Sequence, residues 1–538
     1  MSTFYLRTES IKPEEIKNLS VINDQDNTII KTLLLPDPCL LEGSRGTGKS
    51  FLLKLAELEI NDKHTDSVCV YMSFNISSLI DTNDPLQFYH WMLAKTLKSL
   101  LNSLRKKGII INSDSASLLS NDENDSSEEI SVNLKDIIKL YENSFKGKSE
   151  INIDSLPDIE DVKEAIEIIC KENDLKRIYF MFDEAAHVFR PEQQRQFFSL
   201  FKDLRSPYIT CNAAIYPGVT YFGNSFEPLH DCIYLKLERD IRDADYIDYF
   251  KEIVFKQADE SLKKIIETKL GDFITLALSA GGNPRFLLNT IRDIQQFNSS
   301  NIEQVLKNFY RIKIWSEHTD LGTKYFGHKG LIDWGRDFLE NSVVPSILRY
   351  NSSRIESGKS ESTIYFWIHK DAPETVKESL RLLTYTGIIR KVDSGIRATK
   401  AELGDRYEVK YGCILSLDGK PLNISKQFFS NLTITKFPEF GKNSPAYSSV
   451  IHLAKVINDE EKIFKESINN ILAKSIDVLQ LLTSWQKTKL KEAGILTISD
   501  LHNKSETDLI DKIYNVGPAR ARLMKTAVDA ELLEYISG

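Results

Sequence analysis

The residues with the clearest chemistry stand together: Gly43, Ser44, Arg45, Gly46, Thr47, Gly48, Lys49, Ser50 and Phe51. Their order, G-x4-G-K-S, is that of a phosphate-binding P-loop. The glycines let the backbone curl so that successive N–H groups point at phosphate oxygens, Lys49 reaches the β and γ oxygens, and Ser50 is placed to ligate Mg²⁺. A second group lies far along the chain, where the apolar run Ile178-Tyr179-Phe180-Met181-Phe182 ends in Asp183 and Glu184. The first carboxylate suits a Mg²⁺ shell and the second suits polarising an attacking water. Polar residues that could face a γ-phosphate follow: Asn212 is the natural chemical choice, while Tyr216 and Thr220 lie nearer the end of their strand.

Such groups need rigid elements to hold them. Cys39-Leu40-Leu41 ahead of the loop reads as a buried strand, and Phe51-Leu52-Leu53-Lys54-Leu55 behind it reads as a helix packed on a sheet. Apolar runs at 67–74, 177–182, 208–215 and 233–237 supply further strands, with helical patterns at 85–104, 159–171 and 191–204 between them. That alternation predicts a parallel α/β sheet. A central strand covered by helices on both faces is continuously apolar, as 177–182 is, and its acids then emerge at the carboxyl edge beside the P-loop. Residues 113–130 carry six acids and no bases, which reads as a polar loop insertion. Further on, Gly281-Gly282 stops one helix and Pro284 begins the next. Arg285 puts a positive charge at a helix start, against the macrodipole, and so calls for an anionic partner that a nucleotide would supply.

At 538 residues, with 41% apolar and 27% charged residues, the chain is an ordinary multidomain globular composition. No window approaches the ~18 apolar residues of a membrane span, and the first residues lack the basic-then-apolar layout of a secretory signal, so a cytoplasmic protein with no membrane partner is expected. Cys39, Cys69, Cys170, Cys211, Cys232 and Cys413 are scattered, without a C-x-x-C pair, which argues against zinc and a disulfide framework. A net charge of −8 argues against a chain that coats nucleic acid along its length, although a local basic surface fits inside an acidic total.

The order of P-loop, Asp183-Glu184, a following strand, and Gly282-Asn283-Pro284-Arg285 on a helical lid resembles the AAA+ superfamily of P-loop ATPases, specifically its initiator clade of origin-recognition ATPases. The related STAND signalling ATPases share much of the pattern. The resemblance covers about residues 29–298. It implies ATP hydrolysis with Mg²⁺, with Asp183 as the metal acid, Glu184 as the water-activating acid and Arg285 as a sensor reaching the γ-phosphate from the lid. No trans-acting arginine finger stands out, with Arg195, Arg205, Arg239 and Arg242 all candidates. A base-reading N-K-x-D motif for GTP is missing; the nearest string, Asn503-Lys504-Ser505-Glu506, lies far outside the sheet.

Downstream, an amphipathic helix at 374–385 and strands at 388–392 and 406–411 resemble a winged helix, in which Arg397, Lys400 and Arg406 could touch phosphates. The acids Glu374 and Glu378 on the presumed recognition helix make protein packing an equal alternative. Near the end, helices at 485–493, after Ser499, and after a Ser505/Asp508 capping box lead to Asn515-Val516-Gly517-Pro518-Ala519-Arg520-Ala521. This resembles a helix-hairpin-helix, in particular the C-terminal domain of bacterial RNA polymerase α subunits. Gly517 would let a backbone amide approach a DNA phosphate, helped by Arg520, Arg522 and Lys525.

The expectation is therefore an α/β chain. A parallel-sheet core (1–240, insertion at about 105–135) precedes a helical lid (241–325), a winged-helix-like unit (326–430), a helical linker (431–478) and a helix-hairpin-helix domain (479–538). Its expected work is that of an ATP-hydrolysing, DNA-associated switch that forms homo-oligomers on ATP binding or engages a protein partner. The alternative is a STAND-like nucleotide-dependent scaffold whose C-terminal module docks a protein.

Overall fold

The computed structural model describes residues 4–74, 80, 82, 84, 86–120, 127–144, 156–185, 191–223, 226–324, 328–417, 420–422, 425, 431–450, 472–479 and 482–536. Five strands, β1 (Cys39–Glu42), β2 (Ser67–Ser73), β3 (Arg177–Asp183), β4 (Ile209–Ile215) and β5 (Ile233–Lys236), form one parallel sheet in the order β2-β3-β4-β1-β5. The fold class is α/β, with the parallel sheet that the alternation of runs predicts. All of β4 and nearly all of β3 is buried, because helices cover both faces. Successive residues point to opposite faces. Phe180 and Phe182 join one apolar cluster with Phe88 and Trp91 from the helix Gln87–Lys106, while Tyr179 and Met181 join another with Leu52 and Leu53 from the helix Lys49–Lys63.

The polar stretch expected as a loop contains helix instead. Ser113–Ser120 and Ser127–Glu142 are helical, burying Ala116 and Leu119 from the first and Ile130, Leu134, Ile137 and Tyr141 from the second. The few apolar residues recur at helical spacing, and packing them on the sheet-covering helices outweighs the poor composition between them. Residues 121–126 of that stretch lie outside the described residues.

After β5 come the helices Tyr246–Phe255, Glu260–Thr268, Leu270–Ala280 and Pro284–Asp293. A second sheet then appears, in the order β7-β8-β6-β9, from β6 (Tyr365–His369), β7 (Ile389–Arg397), β8 (Leu403–Val409) and β9 (Glu439–Phe440). Sequence reading found β7 and β8 and missed β6, a short run that is buried throughout, and β9, which has only two residues. The helix Glu374–Thr386, capped by Gly387 at φ +74, connects β6 to the β7/β8 ribbon. One continuous apolar core joins this unit to the preceding helices, with Phe286, Phe309 and Tyr310 meeting Tyr365, Tyr411 and Ile414, so the expected boundary at 325/326 falls inside a shared core.

The helices Ser484–Glu492, Ile498–His502, Glu506–Lys512 and Pro518–Ile536 enclose their own core around Ile476, Leu490, Leu509 and Met524. Each of the first three starts with a capping box, Thr483/Gln486, Thr497/Asp500 and Ser505/Asp508. The second cap is thus Thr497, two residues ahead of the expected Ser499, because Thr497 places its hydroxyl over Asp500 N at 3.1 Å. Among the described residues no helix is long and apolar enough to cross a membrane.

Candidate functional site: a phosphate loop clamped by a helical lid

The loop from Gly43 to Gly48 leaves the end of β1, which lies between β4 and the edge strand β5, and Lys49 and Ser50 open the helix behind it. Gly48 is the N-cap at φ +106, and Gly46 lies at φ +86, conformations a side chain rarely adopts. At Gly46 space is as restrictive as φ: a Cβ would stand 2.7 Å from Asn283 Oδ1 and 2.8 Å from Arg285 Cβ. The lid helix Pro284–Asp293 therefore begins against the loop. Asn283 both caps that helix, accepting from Phe286 N at 3.3 Å, and donates from Nδ2 to Arg45 O at 2.7 Å.

Lys49 is buried, donating from Nζ to Gly43 O at 2.5 Å and Ser44 O at 3.1 Å, with the Tyr216 ring 4.0 Å from Nζ. Burial pulls its pKa down to about 7, against the opposing pull of Asp183 and Glu184. A triphosphate beside it would hold the ammonium charged, so binding above neutrality takes up a proton. ATP affinity is accordingly expected to be flat below pH 7 with respect to this group and to fall by up to about tenfold per pH unit above it. Isothermal titration in buffers of different ionisation heat reads that uptake directly; no uptake at pH 8 to 9 contradicts the assignment.

Asp183 ends β3 fully buried, where Tyr71 Oη donates to its Oδ2 at 2.5 Å and Glu184 N donates to its Oδ1 at 2.9 Å. Glu184 sits at φ +54, a sparsely populated conformation for a side chain of that type, and Tyr216 Oη donates to its Oε1 at 3.3 Å. Burial, with Asp183 beside it, pushes the Glu184 carboxyl above its usual range. Both acids thus carry a tyrosine hydroxyl from the end of a neighbouring strand. Sequence reading weighed Tyr216 for its position and missed Tyr71; the signal was present, a Tyr two residues before the end of β2 in register with Met181, two residues before Asp183.

Arg285 and the N-terminal arm complete a cavity of about 570 Å³ over the loop, lined also by Glu184 and Tyr216. Arg285 Nε donates to Leu6 O at 3.0 Å, so the residue expected to sense phosphate holds the arm that roofs the cavity. Tyr5 N donates to Gln257 Oε1 at 2.8 Å from the same arm. No arm residue was singled out from sequence, because nothing in its composition marks a wall.

Asn212 is placed elsewhere. It pairs in register with Cys39, at the start of β1, whereas the loop leaves the other end after Glu42, in register with Ile215. Its Oδ1 accepts from Cys39 N at 3.0 Å and its Nδ2 donates to Leu33 O at 2.9 Å, which satisfies a fully buried amide at the wrong edge of the sheet for phosphate. Asn212 is therefore removed from the catalytic set, and Tyr216 stands at the strand end in its place.

Arg239, a candidate arginine finger, is buried within its own chain. Its Nη1 donates to Thr47 O at 2.6 Å and its Nη2 to Asp26 Oδ1 at 2.7 Å, while Tyr249 Oη donates to Asp26 Oδ2 at 2.7 Å. This network holds the loop from behind. Asp26→Ala leaves a buried guanidinium uncompensated and is expected to destabilise the core by about 3–5 kcal/mol. Chemical unfolding followed by tryptophan fluorescence checks this; an unmoved midpoint would leave the network without structural weight. Of the other finger candidates, Arg205 and Arg242 pair with Asp231 and Asp240, and Arg195 is exposed near the Tyr221 ring.

Among the described residues there is no cluster of three or more His, Cys, Asp or Glu fit to hold a metal alone. The Ser50 hydroxyl and the Asp183 carboxylate are nonetheless the hard oxygen donors that Mg²⁺ takes when phosphates and water supply the rest of its shell, so the residues present fit that ion.

The C-terminal hairpin is assembled from Asn515 at φ +63 and Gly517, where a Cβ would meet nothing within 4 Å. Arg520 Nη1 donates to Asn515 O at 2.6 Å and its guanidinium lies 4.7 Å from the Trp485 ring. Arg522 and Lys525 are not brought to the hairpin: Arg522 faces Glu506 at 3.6 Å, and Lys525 donates to His502 O at 2.6 Å, the end of another helix. Residues 472–536 hold nine Lys/Arg against nine Asp/Glu, so the basic excess within 484–525 is cancelled by acids outside that window. In the β7/β8 ribbon, expected as a wing, Arg406 pairs with Asp393, and Arg397 Nη1 donates to Ala401 O at 3.2 Å.

No protein-family model matches the chain, and no curated protein matches it. Among solved structures it is similar to AMPPCP-bound DnaA from Aquifex aeolicus, with a TM-score of 0.27 and 13% identity over 71% of this chain and 90% of that one. A variant of RuvB from Thermotoga maritima gives a TM-score of 0.27 and 13% identity over 74% of this chain and 93% of that one. A replication initiator DnaA bound to AMPPCP and single-stranded DNA gives 0.25 and 14% identity, covering 64% and 86%. Likeness at this level carries no argument about chemistry, which rests on the geometry above.

Proposed function

We propose that this chain binds ATP with Mg²⁺ between its sheet and its lid and hydrolyses it as an AAA+-type switch. The observation that carries the reading is the convergence of Lys49, Glu184, Tyr216 and Arg285 on one cavity over a glycine-rich loop at the carboxyl edge of a parallel sheet. Lys49 would leave the loop carbonyls for the β and γ oxygens, and the amides at the start of its helix would hold the same phosphates. Mg²⁺ on Ser50 and Asp183 would neutralise charge developing on those oxygens. Glu184, steered by Tyr216, would orient and deprotonate the attacking water, and its raised pKa makes the carboxylate a better proton acceptor. Arg285 would report the γ-phosphate to the lid and, through Leu6, to the arm.

For the output, the hairpin around Gly517 supports a DNA-associated role through backbone contacts. Because the internal partners of Arg522 and Lys525 and the balanced charge of residues 472–536 limit phosphate contacts, we expect weak binding with a shallow salt dependence, equivalent to about one or two phosphates. Fluorescence anisotropy of labelled duplex and single-stranded DNA, with the full chain and with residues 472–538, tests this across a salt series. Binding lost in Gly517→Val supports the DNA role; a folded module with no binding at low salt overturns it.

A second reading, the STAND-like scaffold, is favoured by one observation. The helix Glu374–Thr386 lies against the phosphate loop: Tyr385 and Tyr216 rings meet at 5.8 Å, Leu382 and Tyr385 are buried with Val219, and a Cβ on Gly387 would lie 3.3 Å from Ser44 Oγ. These contacts seat the helix Glu374–Thr386 on the phosphate loop, and Arg45 Nη1 lies 3.9 Å from Glu317 of the segment before it. A scaffold that retains nucleotide would turn over slowly in this arrangement and bind no DNA, so the anisotropy series separates the two readings.

A further inference from the structure

We infer a second ligand site beside the phosphate loop, a cationic cavity that takes a small phosphate-bearing anion. The cavity, about 300 Å³, lies where three parts of the chain meet: the end of β1 with the loop at Ser44 and Thr47, the lid glycines Gly281 and Gly282, and the wing unit's helix Glu374–Thr386 with β7 and β8. It shares Thr47 and Arg239 with the nucleotide cavity and otherwise has its own lining. The inference therefore goes beyond the ATP site.

Charge is unevenly matched there. Arg390 pairs with Glu408 and with Glu238 at 3.2 Å, Lys391 pairs with Asp405 at 2.6 Å, and the remaining lining acid, Glu42, stands in register beside Lys236 on the neighbouring strand. Lys410 and Lys236 remain, and among the described residues neither has a carboxylate within 4.0 Å. Lys410 is 8% exposed, reaches over Gly281 so closely that a Cβ there would stand 2.6 Å from its Cδ, and donates from Nζ to Gly281 O at 2.8 Å. A buried ammonium resting on a carbonyl is costly to keep charged, and burial indeed pulls its pKa down to about 8. An anion in the cavity would remove that cost. At the rim, Lys377 and Arg381 pair with Glu374 and Glu378 one turn back on their own helix surface, contacts weak enough to be exchanged for a ligand. Ammonium groups converging from separate elements suit phosphate oxygens, and the volume is at the small end for ligand pockets. Bound there, the anion would tie core, lid and wing together.

The test uses the full chain with and without saturating AMPPCP, titrated with inorganic pyrophosphate, ADP and citrate by calorimetry. One equivalent of pyrophosphate should bind in the presence of AMPPCP, and the reversal Lys236→Glu/Lys377→Glu should weaken it by roughly tenfold or more, the worth of one charge-assisted contact. AMPPCP affinity should not change in that variant, and Lys236→Arg/Lys377→Arg should keep pyrophosphate binding. ADP binding in place of pyrophosphate assigns the site to a nucleotide, and equal binding of citrate and pyrophosphate reduces it to charge alone and overturns the phosphate preference. Because the variants are compared with and without AMPPCP, failure of the ATP reading appears separately, as lost AMPPCP binding. Pyrophosphate binding that is absent, or that is untouched by the reversal, overturns the second site.

Discussion

Glu184→Gln is expected to leave ATP binding intact and to cut turnover by roughly 10²- to 10⁴-fold, the usual contribution of a positioned base. Glu184 lines the cavity beside Lys49, is steered by Tyr216 Oη at 3.3 Å, and has a pKa raised by burial and by Asp183. The amide keeps the size and the hydrogen-bond acceptor but cannot take a proton from water. A loss of kcat without a loss of affinity is therefore the signature of an interaction made in the transition state. Phosphate release measured at saturating ATP, alongside direct binding of labelled nucleotide, gives both quantities. Wild-type turnover in the variant would remove Glu184 from the chemistry; lost binding would make it structural.

What the sequence made legible follows from how local each feature is. The phosphate loop is contiguous, its glycines required by φ at Gly46 and Gly48, so residue types and spacing suffice to find it. The strand ending in Asp183 is readable because burial on both faces leaves a continuous apolar run. Partners that meet only through topology were not readable. Tyr71 reaches Asp183 because β2 and β3 are parallel neighbours in register, and Arg239 reaches Asp26 across more than two hundred residues. Asn212 misled because residue chemistry was weighed ahead of strand position: three residues along a strand, at roughly 3.3 Å each, separate it from the working edge. The helices within 113–142 escaped because composition hid a sparse helical period. At the other end, basic residues counted over a chosen window suggested a DNA clamp, while Lys525 and Arg522 are each turned to a partner inside the module.

The most direct measurement is the affinity of ATP and ADP for Lys49→Ala against wild type. Lys49 is the one loop side chain held in a buried position between loop carbonyls, the Tyr216 ring and the field of two carboxylates. Removing it takes away the positive charge that offsets the phosphates and leaves Asp183 and Glu184 facing them. Each lost charge-assisted contact costs about 1.5–3 kcal/mol, so loss of two such contacts weakens binding by at least about a hundredfold. The fold should persist, since Ala is a good helix former at that position. Calorimetric titration of both proteins, with circular dichroism to confirm folding, gives the answer: wild-type binding with Mg²⁺ and none at millimolar ATP in the folded variant is expected, whereas equal affinity in the two proteins would contradict a nucleotide site at this loop.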